Sequence, residues 1–390
     1  DRTNNTLIIH QEDYVNEILE RFEIDPSDTA STPMPSSKRA EANTRNDNEV
    51  VDNTKFREVV GCLMYLMVCT RTDIATAVIA VAKHVEKPNA ADWEALHQIL
   101  RYLNSTKSLG ITFGAHRVID GHKHGEMKLI AYVDASYGDQ DLAKSSCGYI
   151  TMFNGGPISW KSKVLSDTAT SSTEAEYMAQ ALAAKEIIYL RNLLGSLEIA
   201  QNVSTLLFGD NQAALKLALK ENVSDLTKHL NHRHHFIREC VQRGQIEMRY
   251  VSTHSNLADT FTKPLDRDRF ARLRLLIGMT ESNELRFVDE RILKQTQIDN
   301  CNRINEHRIK KRSVHAPING FISKEIDISE YLSTRQQWLR ESYKEQNNDN
   351  DNSAQETDEL LQLATVHLMS HSSVTRSCLR ILIKYHDGRV

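Results

Sequence analysis

Apolar residues change their spacing twice along the chain, and the changes divide it. Tyr14, Ile18, Leu19 and Phe22 recur at helical intervals and stop short of Pro26, predicting a short helix. From Ser27 to Asn53, Ser, Thr, Pro, Asn and charged residues dominate, so an exposed connector is expected. Two helical patterns follow: Phe56, Val60, Leu63, Met64 and Met67, then Ile74, Val78, Val81, Ala82 and Val85. Asn89 is suited to cap a third, with Trp93, Leu96, Leu100 and Leu103 on its apolar face. Residues 1–114 therefore read as a mainly helical region.

After the polar stretch Ala115 to Gly125 the period becomes strand-like. Leu129 to Val133 is a short apolar run ending at Asp134, Gly148 to Phe153 alternates up to Asn154-Gly155-Gly156, and Ile158 to Val164 follows. A long Ala-rich helix is predicted over about Thr173 to Leu194, then a strand at Thr205 to Phe208 and a helix at Asn211 to Lys220. A helix at about His235 to Gln242, a strand at Ile246 to Val251 and a last helical pattern through Phe270, Leu273 and Leu276 complete residues 126–279. Three strands, helix, strand, two helices, strand, helix is the order of a mixed α/β unit. Residues 280–390 change character again: Gln346 to Gln355 is nearly all Asn, Asp, Gln and Ser, and its neighbours are only weakly helical. A low-complexity tail without chemistry is expected there.

Composition narrows the function classes. A length of 390 residues favours two or three domains, and 40% hydrophobic residues permit a sizeable core. Lys and Arg total 48 against 52 Asp and Glu, a net charge of −4, so any nucleic-acid binding must use a local basic surface. No apolar run is long enough for a membrane helix. The start, without Met or an apolar leader, reads as a piece of something longer. Cys62, Cys69, Cys147, Cys240, Cys301 and Cys378 form no CxxC pair, which favours free thiols in a reducing compartment over disulfides or zinc.

Four acids stand where the pattern does not require them. Asp134 and Asp210 follow apolar strands, while Glu176 opens the Ala-rich helix on the face of Ala179, Ala183, Ile187, Leu190 and Leu194. Asp259 lies between the last strand and the last helix. Each has an ordinary alternative: a strand-end turn for Asp134, a helix cap for Asp210, and capping-box spacing for Thr173 with Glu176 and for Asn256 with Asp259. Ligands of α/β sheets collect beyond strand ends, however, and four acids converging there stay ionised only with bound cations. Oxygen-only ligation selects hard divalent ions, magnesium above all, and suits phosphodiester hydrolysis by two ions.

The residues around these acids carry a resemblance. Val133-Asp134-Ala135, Ser146 to Tyr149, Pro157 to Lys163, Ser171-Ser172-Thr173-Glu174-Ala175-Glu176-Tyr177-Met178-Ala179, Gly209-Asp210-Asn211-Gln212 and Leu257-Ala258-Asp259 resemble the ribonuclease H domain of copia-type retrotransposon Pol polyproteins. Upstream, Val60 to Leu66, Thr70-Arg71-Thr72-Asp73-Ile74 and Ile99 to Leu103 are similar to the segment joining that family's reverse transcriptase to its ribonuclease H. The resemblance covers roughly Thr3 to Met279. It implies a ribonuclease H-like mixed five-stranded sheet flanked by helices, preceded by a small helical connection region and followed by a poorly ordered tail. It makes Asp134, Glu176, Asp210 and Asp259 catalytic, metal-binding acids, with two Mg2+ ions for which Mn2+ can substitute. The implied partners are an RNA:DNA hybrid and the upstream reverse transcriptase of the same polyprotein. No membrane partner and no oligomeric state follow from it. The implied location is intracellular, in cytoplasmic virus-like particles, with the nucleus as a second compartment.

Asn211 and Gln212 are candidates for the hybrid's minor groove, and Lys161, Lys163 and Lys263 for phosphate contacts, with a solvated charged face as the alternative for the lysines. His254, five residues before Asp259, is a candidate proton shuttle, with a plain loop histidine as the alternative. His229, His232, His234 and His235 crowd together, but without zinc-like spacing to a Cys or an acid. Thr72, Asn256 and Thr260-Phe261 depart from the family pattern, and no Asp-Asp pair of a polymerase palm occurs. These departures keep a second reading open: a decayed or co-opted copy acting as a nucleic-acid binding or assembly module.

Overall fold

The computed structural model describes residues 5–35, 52–139, 144–219 and 236–281. Its elements run β1 (Leu7–Ile9), α1 (Glu12–Arg21), α2 (Asn53–Cys69), α3 (Ala75–Ala82), α4 (Ala90–Asn104), β2 (Gly110–Phe113), β3 (Arg117–Ile119) and β4 (His122–His124). Then come β5 (Ile130–Ser136), β6 (Ser146–Phe153), β7 (Gly156–Val164), α5 (Ser172–Ser196), β8 (Thr205–Gly209), α6 (Gln212–Leu219), α7 (Phe236–Gln242), β9 (Ile246–Tyr250), α8 (Arg267–Ile277) and β10 (Met279–Thr280).

The main sheet has the order β7-β6-β5-β8-β9; β5, β6 and β7 are antiparallel neighbours, whereas β5, β8 and β9 run parallel. This is the mixed five-stranded sheet that the resemblance implies. Alternation along β5 sends Ile130 and Tyr132 into one core and Ala131 and Val133 into the other. Burial on both faces explains the unbroken apolar run of that central strand. On the second face lie α5, with Ala179, Ala183, Ile187 and Leu190 buried, and α6 and α7 beside it.

The opposite face packs against the helices of the first hundred residues. Phe56, Leu63, Val78, Leu96 and Leu100 share one apolar core with Tyr132, Phe208 and Phe261. Asn89 caps α4 as predicted, and the structure adds a reciprocal capping box with Asp92. Polar ties cross the seam: the Trp160 indole donates to the Met67 carbonyl at 3.0 Å, and the Thr76 hydroxyl to that of Thr260 at 2.6 Å. The buried Arg71 guanidinium holds Asp73 at 3.0 and 2.8 Å, while the Tyr102 hydroxyl donates to Asp73 at 2.6 Å. Arg274 of α8 reaches the Tyr102 hydroxyl at 3.0 Å.

Two small sheets were not expected from the sequence. In the order β1-β2-β10, a three-stranded ribbon joins the two ends of the described chain. The turn into β10 uses Gly278 at φ +99°, a left-handed helix end that favours glycine. The stretch from Ala115 to Gly125, read as merely polar, forms the hairpin β3–β4, and buried His124 stacks on Tyr132. Burial pushes the His124 pKa down to about 3, so its ring packs as a neutral group. Cys62, Cys69, Cys147 and Cys240 are free thiols. Among the described residues no helix is long and apolar enough to cross a membrane.

Candidate active site

The parallel register of β5 and β8 pairs Tyr132 with Phe208. Two residues further along stand Asp134 on β5 and Asp210 just past the end of β8, so both acids emerge side by side at the carboxyl edge of the sheet. Asp259 arrives from above, on a 3₁₀ turn (Leu257–Phe261) packed against β5 and β6. That approach is close: a Cβ on Gly148, the partner of Asp134, would lie 2.5 Å from the Phe261 Cβ. Asn256 fixes the turn by donating to the Val133 carbonyl at 3.0 Å. Glu176 comes from the second turn of α5 on its buried face.

The capping alternatives do not hold for these acids. Ser171, not Thr173, caps α5 and accepts from the Glu174 amide, while Glu174 turns back to Thr170. Asn211, not Asp210, accepts from the Ala214 amide at the start of α6. Asn256 itself accepts from the Ala258 amide. None of the carboxylates of Glu176, Asp210 and Asp259 is therefore spent on a helix cap.

Carboxylate oxygens of Asp134, Asp210 and Asp259 all lie within 4.8 Å of one another. Asp134, Glu176 and Asp259 are 2%, 5% and 0% exposed. Burial and the Asp259 charge push the Asp134 pKa up to about 7, against the opposing pull of Lys263 and Thr262. Burial, with Asp134 and Asp210 nearby, drives that of Glu176 well above the carboxylate range. The Thr262 hydroxyl donates to Asp134 Oδ2. Lys263 Nζ lies 2.8 Å from Asp259 Oδ1 and 3.5 Å from Asp134 Oδ2, and Arg269 pairs with Asp259 Oδ2. Buried Glu176 Oε2 has no hydrogen-bond partner. An all-oxygen donor set with an orphaned buried oxygen fits a hard divalent cation.

The other candidates separate. Lys263 is tied to the acid cluster, not held out on a solvated face, because Asp259 precedes it by one helical turn. Lys163, on β7 and 4% exposed, is not on a solvated face either; it lies opposite Cys147, whose pKa burial raises to about 12 against the opposing charges of Lys161 and Lys163. Lys161 is half-buried on the same strand, Gln212 is exposed on the first turn of α6, and Asn211 has committed its carbonyl to that helix. His254 is exposed on the turn before Asp259. His229, His232, His234 and His235 lie outside the described residues. Two site residues had escaped the sequence reading. Thr262 stands three positions after Asp259, a spacing that could have signalled it, whereas Arg269 comes from a separate helix with no local cue.

No protein-family model matches the chain. It is 37% identical over 284 residues, 72% of its length, to the Retrovirus-related Pol polyprotein from transposon TNT 1-94 of Nicotiana tabacum. A second relative, the Pol polyprotein from transposon RE1 of Arabidopsis thaliana, is 35% identical over 70% of the chain. The chain belongs to the copia-type retrotransposon Pol polyproteins. The chain spans about a fifth of these relatives, 21% and 18% of their respective lengths. Among solved structures, LC11-RNase H1 in complex with an RNA/DNA hybrid aligns at 13% identity and a TM-score of 0.27, covering 35% of this chain and 94% of that one. The ribonuclease H-like fold of the copia-type chain is carried by its own strand order and directions.

Proposed function

We propose that this chain is the ribonuclease H part of a copia-type Pol polyprotein, hydrolysing the RNA strand of RNA:DNA hybrids. The observation that carries the reading is the meeting of Asp134, Asp210 and Asp259 at the carboxyl edge of two parallel strands. Residues 1–114 would be the connection to the reverse transcriptase, 126–279 the ribonuclease H domain, and 280–390 a tail without an assigned role. Asp134, Glu176, Asp210 and Asp259 would hold two divalent cations, Mg2+ or Mn2+. When bound, these supply an activated water and neutralise the departing oxygen. Thr262 would orient Asp134, and Lys263 would offset part of the negative charge that the incoming phosphate adds. Gln212 and the Asn211 amide nitrogen would hydrogen-bond the hybrid's minor groove, where the 2′-hydroxyl tells RNA from DNA. Without a palm Asp-Asp pair, DNA synthesis would be left to the upstream part of the polyprotein.

The purified chain with a labelled hybrid and Mg2+ tests this. RNA-strand products that depend on the cation are expected, with duplex DNA left intact. Tight hybrid binding without cleavage under Mg2+ or Mn2+ would instead favour the co-opted binding module. Unchanged activity in Asp210→Asn would refute the site assignment.

A further inference from the structure

We infer that Arg269 is a positioning residue for Asp259: it fixes one carboxylate oxygen so that the other faces a divalent cation. The inference rests on the ribonuclease H reading of the site.

Asp259 is fully buried on a short 3₁₀ turn, and its two oxygens are held from different directions. Oδ1 meets Lys263 at 2.8 Å, on the side where Lys263 also approaches Asp134. Oδ2 meets Arg269, which comes from α8. The two cations differ in kind. Lys263 is a compact point charge on a flexible stem, two residues past the same turn, so a bound divalent ion can displace it from Oδ1. Arg269 presents a planar guanidinium whose Nη2 has a second anchor, donating to the Thr253 carbonyl at 2.8 Å as well as to Asp259.

The helix behind Arg269 is fixed independently. Asp266 accepts from the Arg269 amide at 3.0 Å, Phe270 and Leu273 are buried, and Arg274 binds the Tyr102 hydroxyl. Arg269 therefore stays on Oδ2 when the occupant of Oδ1 changes, and Asp259 remains a one-oxygen ligand in a single orientation. Partners behind a ligand that act in this way typically contribute about 10–100-fold to metal affinity or activity.

Arg269→Gln and Arg269→Lys in the full chain test the inference by two readouts, hybrid cleavage and calorimetric titration with Mn2+ alone. In Arg269→Gln, kcat and Mn2+ affinity should each fall about 10–100-fold, while KM for the hybrid stays within about twofold, the mark of an interaction made away from substrate binding. Arg269→Lys should recover part of both losses. Wild-type kcat and Mn2+ affinity in Arg269→Gln would overturn the inference and leave the proposed function standing. Failure of both variants to fold would make Arg269 a stability residue and overturn it too. If the wild-type chain binds Mn2+ but cleaves no hybrid, the proposed activity fails while the titrations still decide the role of Arg269. If it binds no Mn2+, both fall together.

Discussion

Asp73 and Asp134 are both almost fully buried, at 3% and 2% exposure, and the protein pulls them in opposite directions. Burial raises the Asp73 pKa, but the Arg71 charge, its two hydrogen bonds and the Tyr102 hydroxyl outweigh it and hold this carboxyl below the usual range. Asp134 has the Thr262 hydroxyl and a Lys263 ammonium 3.5 Å away, but burial and then the charges of Asp259 and Asp210 outweigh them, and it is pushed up to about 7. An acid that serves the fold brings its own counter-charge. At the sheet edge Lys263 pairs with Asp134 and Asp259, and Arg269 with Asp259, while Asp210 and Glu176 crowd the same acids without an ion pair of their own among the described residues.

The contrast is sharpest when each site loses an acid. Asp210→Asn should abolish hybrid cleavage, since metal stabilisation of several kcal/mol corresponds to about 10³-fold in rate. Its melting temperature should not drop, because a repelling charge is removed; a marked loss of stability would place Asp210 with the structural acids. Asp73→Asn should do the reverse, destabilising the fold by about 3–5 kcal/mol by leaving the buried Arg71 guanidinium uncompensated. Urea unfolding measures this, and an undisturbed midpoint would break the comparison. Gly148→Ala should cost about 1–3 kcal/mol, because the Phe261 turn must retreat from the new methyl group and take Asp259 with it. Cleavage should suffer more than stability does.

The smallest effect is in the pH dependence. A carboxyl whose pKa rises on folding stabilises the folded chain at acid pH, and that contribution is lost as pH rises through its folded value, about 7 for Asp134. Without divalent cations, melting should therefore occur at a higher temperature near pH ~5.5 than near pH ~8, and Mg2+ should close the gap. Asp73 works in the other sense, losing its contribution only as pH falls below ~4. Equal cation-free melting temperatures in the wild type and in Asp134→Asn across this range would remove the distinction.

Much of this was legible in the sequence because it is local. The helix faces of α2 to α4, the Asn89 cap, the strands of the main sheet and the buried side of Glu176 all follow from neighbouring residues. What escaped depends on distant partners. Leu7–Ile9 is three residues long and becomes a strand only beside Ile111 to Phe113, more than a hundred positions away. The polar hairpin hides His124 and Arg117, two side chains that composition assigns to the surface. At the site, Asp134 and Asp210 stood out at strand ends and Glu176 on a helix face, but the contacts of Lys263 did not. A lysine four residues after an acid looks the same whether it reaches into solvent or folds back over the cluster.

The ribbon of β1, β2 and β10 has a mechanical consequence. Ile9 and Met279 flank the same residue, Ile111, from opposite sides, with β1 and β10 both antiparallel to β2. Ile9 and Met279 thus lie about 10 Å apart, two strand spacings, on either side of β2. Tension on the polypeptide from both directions would load this ribbon in shear, stressing its hydrogen bonds together instead of one at a time. While the clasp holds, such a load passes from β1 to β10 through β2, and the acid edge of the five-stranded sheet lies off its path.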